Sequence, residues 1–578
     1  ARDIGREGVS LASVADLDQA LDGIDLETTP LMIQGGAVGF ALTALVVAHL
    51  RHQGKSPGKL SGCIGMDPLG ALAKQGEIPA PLANAYDAMA QMTLWARGHA
   101  PNLQTICVDG HAYHDGGAST TQELAFVLAA AIEYLRALAE RGLEADDIAP
   151  RARVSLSLGS NFFMEVARLR AARLLWAKVV KAFGGGETAQ RLLIHARTSS
   201  WNKTVLDPYV NMLRTTTEAF SGVVGGCASL HVSPFDEPIR PPDEFSRRIA
   251  RNTHTILREE CVLDRPVDPA GGSWYVESLT DQVARQTWAL LQEVENQGGL
   301  HQALQAGFPQ AQVAMVAQKR AQNAAVRKDV VVGTNMYANA KEAPLAPPAV
   351  DTKARQRQRG SALASYRESI DADVRNGALK KLADTAADKR LEGAVKAAML
   401  GATLGQLTAA VRGTDDLPAA VTPVCIRRGA VPYELLRSAA ADYTQRTGAR
   451  PAVFLANMGP APQHKARADF AMGFLEVGGF EVITNPGFSS ADEAAGAAIE
   501  SGAGAVVICS TDATYPDLVP PLVGALKAQK PSTVVLLAGY PADQVDAYKA
   551  AGVDDFIHLR ANCYELLTQL QKTLGVVS

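Results

Sequence analysis

VSLSLGSNFFMEVARLRAARLLWAKVV, residues 154–180, reads as one apolar strand joined by a short turn to one long helix. Val154–Leu158 is a short apolar-rich run closed by Gly159 and Ser160, the usual punctuation of a buried parallel strand. Across Phe162–Val180, the residues Val166, Leu169, Arg173, Trp176 and Val180 recur at spacings of three and four. That is a helical period, with the alkyl stem of Arg173 able to lie across the apolar stripe.

The same unit recurs on both sides. Further strand candidates are Leu31–Gln34, Gly62–Gly65, Gln104–Val108, Leu192–His195, Ser229–Val232 and Ser273–Val276, with helical patterns between them. Strand–helix alternation of this length predicts a (β/α)8 TIM-type barrel over residues 1–340. Seven strands are visible where a closed barrel has eight, and the first helical pattern, Val14–Leu21, precedes the first strand. The opening strand and any arm before it are therefore expected to be missing from this sequence.

Residues 341–449 change texture and read as a linker and helical region. Pro, Ala, Lys and Arg crowd Glu342–Gln358 around APLAPPAV; a charged helical stretch, Gly360–Arg412, and a Pro-containing passage to Val431 follow. From 450 to 578 a second α/β pattern runs through Ala452–Asn457, Glu481–Thr484, Ala505–Cys509, Thr533–Ala538 and Asp555–Leu559. Five such units suit a flavodoxin-like doubly wound sheet. Ligands of such sheets bind beyond the carboxyl ends of the strands, which directs attention to the loop Asn457–Ala466.

With 578 residues, 47% of them hydrophobic and 20% charged, the chain has ordinary globular usage and needs more than one core. A formal charge of −4 leaves no footprint for nucleic acid or a membrane surface. No window is long and apolar enough for a membrane span, and the opening ARDIGREG is not a signal peptide. Cys63, Cys107, Cys227, Cys261, Cys425, Cys509 and Cys563 stand singly, without a C-x-x-C pair. Reduced thiols in a cytoplasm are expected, without a disulfide framework or a metal site.

Several motifs narrow this further. GSNFFMEVARLRAARLLWAK (Gly159–Lys178), HARTSSWNKT (His195–Thr204), SLHVSPFDEP (Ser229–Pro238), RRIARNT (Arg247–Thr253) and DPAGGSWYVESLT (Asp268–Thr280) resemble the barrel of the methylmalonyl-CoA mutase family, in its order and spacing. The C-terminal region resembles the family's cobalamin domain. The resemblance implies radical rearrangement between methylmalonyl-CoA and succinyl-CoA, with adenosylcobalamin supplying the radical.

The family's site residues are then matched one by one. Active members carry D-x-H-x-x-G after the first strand of the cobalamin domain, where the His coordinates cobalt and the Asp orients it. Here Ala461 stands at the Asp position, Gln463 at the His position and Ala466 at the Gly position, and Asn457 replaces the usual lysine. His464, one residue on, reads as a solvated histidine at a helix start. Ser510 is kept along the nucleotide tail, Asp512 takes a Leu place, and a diglycine has become Ala538-Gly539.

In the barrel, Cys63, Gly65 and Gln75 take the Thr, Gln and Arg positions of the substrate-binding segment. A neutral amide cannot replace a guanidinium against a carboxylate. The G-Y-H of active members has become Gly110-His111-Ala112. Alternation along a strand then sends His111 away from the substrate and leaves the methyl of Ala112 in its place. His195 is retained, and Arg197 beside it is expected to need an acidic partner. Arg168, Arg170 and Arg173 read as surface or interface charges.

These substitutions imply a small, non-catalytic subunit that binds no cobalamin. Its partner would be a homologous catalytic large subunit that carries the adenosylcobalamin, the two forming a heterodimer. The competing reading is an active acyl-CoA mutase with altered cobalamin or substrate binding; it needs a new cobalt ligand and a new carboxylate grip, and the sequence offers neither. A stand-alone acyl-CoA-binding protein is a third reading, for which no phosphate clamp is visible.

Overall fold

In the first half of the chain, apolar residues alternate with polar or small ones along each strand, and the alternation decides which face is covered. Ile64 and Met66, Ile106 and Val108, Val154, Leu156 and Leu158, and Ile194 and Ala196 all enter one helix-covered core. Cys63, Gly65, Cys107, Asp109, Ser155, Ser157, His195 and Arg197 take the opposite face.

The structure is a computed structural model describing residues 8–345, 351–412 and 419–577. The opening ARDIGRE and the centre of the Pro-rich linker lie outside the described residues. The chain divides into two units. Of the described residues, the first comprises 8–201, 212–317, 351–412 and 419–427, and the second 202–211, 318–345 and 428–577.

In the first unit the strands are β1 (Leu31–Gly36), β2 (Gly62–Met66), β3 (Leu103–Asp109), β4 (Ala152–Leu158), β5 (Leu193–Thr198) and β6 (Ser229–His231). They pair in parallel and in chain order, β1-β2-β3-β4-β5-β6, consistent with a TIM-type barrel. The seventh expected strand, Ser273–Val276, is instead the start of the helix Trp274–Asn296. Val276, Thr280, Val283, Ala284, Thr287, Leu291 and Val294 form its buried stripe, and the three apolar residues Trp274–Val276 at its head cannot be told from a strand by periodicity. An eight-strand closure is not present among the described residues.

The stretch read as linker and helical region is divided between the two units. Its helices Thr352–Glu368, Ala372–Ala383, Arg390–Met399 and Leu404–Arg412 belong to the first unit. Glu392 anchors them there, accepting from both terminal nitrogens of Arg51 at 2.9 and 2.8 Å and from Trp95 Nε1 at 2.8 Å. The helix Val431–Thr447 belongs to the second unit.

The second unit holds β7 (Ala452–Asn457), β8 (Glu481–Ile483), β9 (Ala505–Cys509), β10 (Val534–Ala538) and β11 (Asp555–Ile557). All are parallel, in the order β11-β10-β9-β7-β8. Val453, Leu455, Val507 and Leu536 feed one apolar cluster, while Phe454, Ala456, Val506, Ile508, Val535 and Leu537 feed another. A sheet buried on both faces needs such unbroken apolar strands. The first strand lies between the second and third, so the chain reverses direction across the β7/β9 boundary, the usual place for a ligand crevice. Among the described residues no helix is long and apolar enough to cross a membrane.

Candidate functional site

The polar face of the first sheet is the natural place for chemistry in a barrel. Gly65 has no room for a side chain: a Cβ there would collide with Cys107 Cβ and lie 2.8 Å from Cys107 N. Cys63 is fully buried, with Sγ 3.9 Å from Ile106 O. Gln75 ends the helix Pro68–Gln75 and is exposed.

His111 is not sent away from this face. β3 ends at Asp109, and His111 opens the short helix His111–Asp115, so strand alternation no longer governs it. Its ring turns back over the sheet and shares hydrogen bonds with Ser157 Oγ at 2.6 Å and Ser155 Oγ at 2.8 Å. Ser155 also receives Gln34 Nε2 at 3.0 Å, and Asp109 Oδ1 accepts from the His111 amide at 2.8 Å. Ala112 packs into the helix-side core instead. Burial presses the His111 pKa down to about 4, which leaves the imidazole neutral at pH 7.

His195 stands nearby on β5, sharing a hydrogen bond with Ser229 Oγ at 2.8 Å. Burial, reinforced by the charge of His111, lowers its pKa to about 3. Arg153 donates to Gln104 Oε1 and to Ser229 Oγ, each at 3.0 Å. Arg197 has the acidic partner expected of it: Nη2 donates to Glu237 Oε1 at 2.8 Å. With side chains 29% and 31% exposed, that pair is partly solvated rather than buried. The polar face is thus largely closed by hydrogen bonds among its own side chains.

Two buried clusters were not legible in the sequence. Asp67 caps the helix Pro68–Gln75, accepting from Gly70 N at 3.0 Å, Asp109 N at 2.8 Å and the Tyr134 hydroxyl. Burial outweighs those donors and pushes Asp67 up to about 7 and Asp109 up to about 6. Arg168, expected at the surface, is fully buried. It pairs with Glu123 and Glu165, and Glu123 also holds His114 Nδ1 at 3.2 Å and the Ser157 amide at 2.8 Å. Burial alone would raise Glu123, but Arg168 overcomes it and holds the carboxyl down at about 2. Arg170 and Arg173 do lie near the surface: Arg170 pairs with Asp268 and Glu277, and Arg173 donates to Gly226 O at 3.2 Å. Among the described residues no three His, Cys, Asp or Glu side chains are placed to hold a metal ion.

In the second unit the expected loop Asn457–Ala466 is mostly helix. β7 ends at Asn457, and after a three-residue turn the helix Ala461–Glu476 begins, leaving Ala461 and Ala466 exposed on its first turns. Asn457 Nδ2 donates to Asn485 O at 2.9 Å. Gln463 folds back so closely over Gly459 that a side chain at 459 would strike its amide. His464 is buried rather than solvated, with Nδ1 3.0 Å from Gly459 O. Its ring packs over Gly487, where an added Cβ would lie 2.9 Å from His464 Cε1, so the glycine makes the room.

One helical turn beyond Gln463, Arg467 reaches across the ends of the strands. It donates to Ala538 O at the end of β10, pairs with Asp512 at 2.9 Å and covers the Tyr515 ring at 5.6 Å. A side chain on Gly539 would collide with its guanidinium. Ser510 Oγ donates to Met458 O at 3.3 Å, and the Tyr515 hydroxyl donates to Ala538 O. Of the positions matched to a nucleotide tail, Asp512, Ala538 and Gly539 are therefore gathered around one arginine that no motif marked, while Ser510 is held by Met458 O.

The family model for methylmalonyl-CoA mutase matches residues 1–416. A methylmalonyl-CoA mutase of Rhizobium meliloti (strain 1021) is 34% identical over 548 residues, covering 93% of this chain and 77% of the relative. The methylmalonyl-CoA mutase large subunit of Porphyromonas gingivalis (strain ATCC BAA-308 / W83) is 32% identical over 568 residues, 95% of this chain and 79% of its own. The small subunit of the same organism is also 32% identical, over 535 residues, 92% of this chain and 75% of its own. Identity does not separate the two subunit types, but with this coverage the chain belongs to the methylmalonyl-CoA mutase family.

Proposed function

We propose that this chain is the small, non-catalytic subunit of a heterodimeric adenosylcobalamin-dependent methylmalonyl-CoA mutase. A homologous large subunit binds the cobalamin and interconverts methylmalonyl-CoA and succinyl-CoA. In this reading the second unit is a flavodoxin-type cobalamin domain that no longer takes its cofactor.

The observation that carries the reading is Arg467. A corrinoid needs open space beyond the strand ends and a histidine free to face cobalt. Arg467 spans that space from the helix after β7 to Ala538 and Asp512. His464 is turned to Gly459 O and packed over Gly487, and Gln463 is folded onto Gly459. These residues do not fit the group, and no step of the reaction is assigned to this chain. In the barrel, Cys107 fills the space above Gly65, and Gln75 offers no charge to a carboxylate. Free thiols at Cys63, Cys107, Cys509 and Cys563, all buried, accord with a cytoplasmic protein.

One observation favours the second reading, an active mutase with altered binding. His111 restores an imidazole to the polar face of the sheet, beside the retained His195. Both rings are already bonded to serine hydroxyls, which weighs against it.

The test is mutase turnover. The purified chain, supplied with methylmalonyl-CoA and adenosylcobalamin, is expected to be inactive. Mixed with a mutase chain that carries D-x-H-x-x-G, it is expected to form an active complex whose kcat is unchanged by His111→Ala. Turnover by this chain alone would establish the second reading instead.

A further inference from the structure

A row of aromatic rings crosses the outer surface of the first unit. Phe220 meets Phe162 at 5.0 Å between centroids, Phe162 meets Phe163 at 5.3 Å, and Phe163 meets Tyr275 at 5.4 Å. Trp274 adjoins Tyr275 in sequence. Instead of being covered, the rings face outward: Trp274 is 91% exposed, Tyr275 61%, Phe163 49% and Phe220 38%.

With about 150–250 Å² in each aromatic side chain, these exposed fractions present roughly 500 Å². That is near the upper end for the largest apolar patch of an ordinary monomer, a range that is often functional. A standard interface buries roughly 800 Å² on each partner, a little over half of it apolar, so the row supplies about the apolar share of one such interface.

The rim is polar and fixed. Arg170, two helical turns beyond Phe163, is bonded to both Asp268 and Glu277, which flank Trp274 and Tyr275 in sequence. Arg173, on the same helix, lies within electrostatic reach of Arg170 and Asp268, so two cations balance two carboxylates and the rim carries no positive excess to draw an anionic membrane or nucleic acid.

We infer that the row Phe220–Phe162–Phe163–Tyr275–Trp274 is the docking surface for the homologous large subunit. This rests on the subunit reading given above. Exposed Trp and Tyr are the residue types that most often carry interface energy, and the bonds of Arg170 hold the loop before Trp274 in place ahead of docking.

The test uses the full chain and the D-x-H-x-x-G-bearing mutase chain of the same organism, with affinity measured for wild type and for the double variant Trp274→Ala, Tyr275→Ala. Phe163→Asp serves as a second variant. Affinity is expected to fall at least about 100-fold in each, with the melting temperature of the free chain unchanged. Equal affinity in wild type and variants would overturn the docking surface and leave the subunit reading standing. Failure of the wild-type chain to bind the large chain at all would overturn both. Loss of a self-association of this chain, without loss of large-chain binding, would assign the row to a second copy and overturn the inference. A lowered melting temperature in both variants would show that the rings serve the chain's own packing, and would overturn it too.

Discussion

Arg467 lies where a side chain on Gly539 would have to be. The guanidinium bonds Ala538 O and Asp512, and an added Cβ at 539 would collide with it. Gly539 also adopts φ +142°, which an L side chain rarely accepts. The glycine and the arginine thus form a unit: one leaves the space and the other fills it.

That coupling is measurable. Gly539→Ala should destabilise the second unit through backbone strain and loss of the Arg467 bonds. In an Arg467→Ala background the second part of that cost is already gone. A double-mutant cycle by urea denaturation should therefore return a coupling of about 0.5–3 kcal/mol. Additivity within a few tenths would show that the two residues are independent.

The buried arginine and the surface arginine on the same helix should behave differently. Arg168→Ala leaves Glu123 and Glu165 buried without their cation, and should cost about 3–5 kcal/mol or prevent folding. Arg170→Ala breaks pairs whose carboxylates are 40% and 49% exposed, and should cost no more than about 1 kcal/mol. Similar losses in the two variants, by denaturant midpoint, would contradict this arrangement.

Asp67 should leave a signature in the pH dependence of stability. Its folded pKa of about 7 lies above the ordinary carboxylate value, so the folded chain holds a proton that the unfolded chain gives up. Its contribution is present below about pH 4 and is lost as pH rises through about 7. His111 and His195, shifted down, work the other way: their contribution is present above about pH 6.5 and lost as pH falls through about 4 and 3. Both histidines remain in Asp67→Asn, so their terms cancel on comparison with wild type. The melting temperature of Asp67→Asn relative to wild type should therefore climb between pH 4 and 7 and level off above. A flat difference would place Asp67 in solvent.

The strands were legible because they are short, apolar and closed by Gly, Pro, Asp or Ser. All five of the second unit and six of the first fall where periodicity puts them, within a few residues. Ser273–Val276 misled because the head of an amphipathic helix can carry three strand-like residues in a row, here Trp274–Val276 behind the cap Ser273. His111 misled because the chain leaves the strand two residues earlier, a boundary that propensity does not fix. His464 became buried through Gly487, a residue distant in sequence whose lack of a side chain makes room for the ring. The burial of Arg168 depends on Glu123, forty-five residues away, and no local pattern announces it. Local rules found the elements, and long-range pairing decided what their charged residues do.

The central claim is tested most directly by equilibrium dialysis of the purified chain against adenosylcobalamin. With Arg467 across the strand ends and His464 bound to Gly459 O, no binding is expected at concentrations well above about 10 μM, where a functional cofactor site would be filled. A dissociation constant in the low micromolar range for the isolated chain, with bound cobalamin perturbed by His464→Ala, would contradict the account.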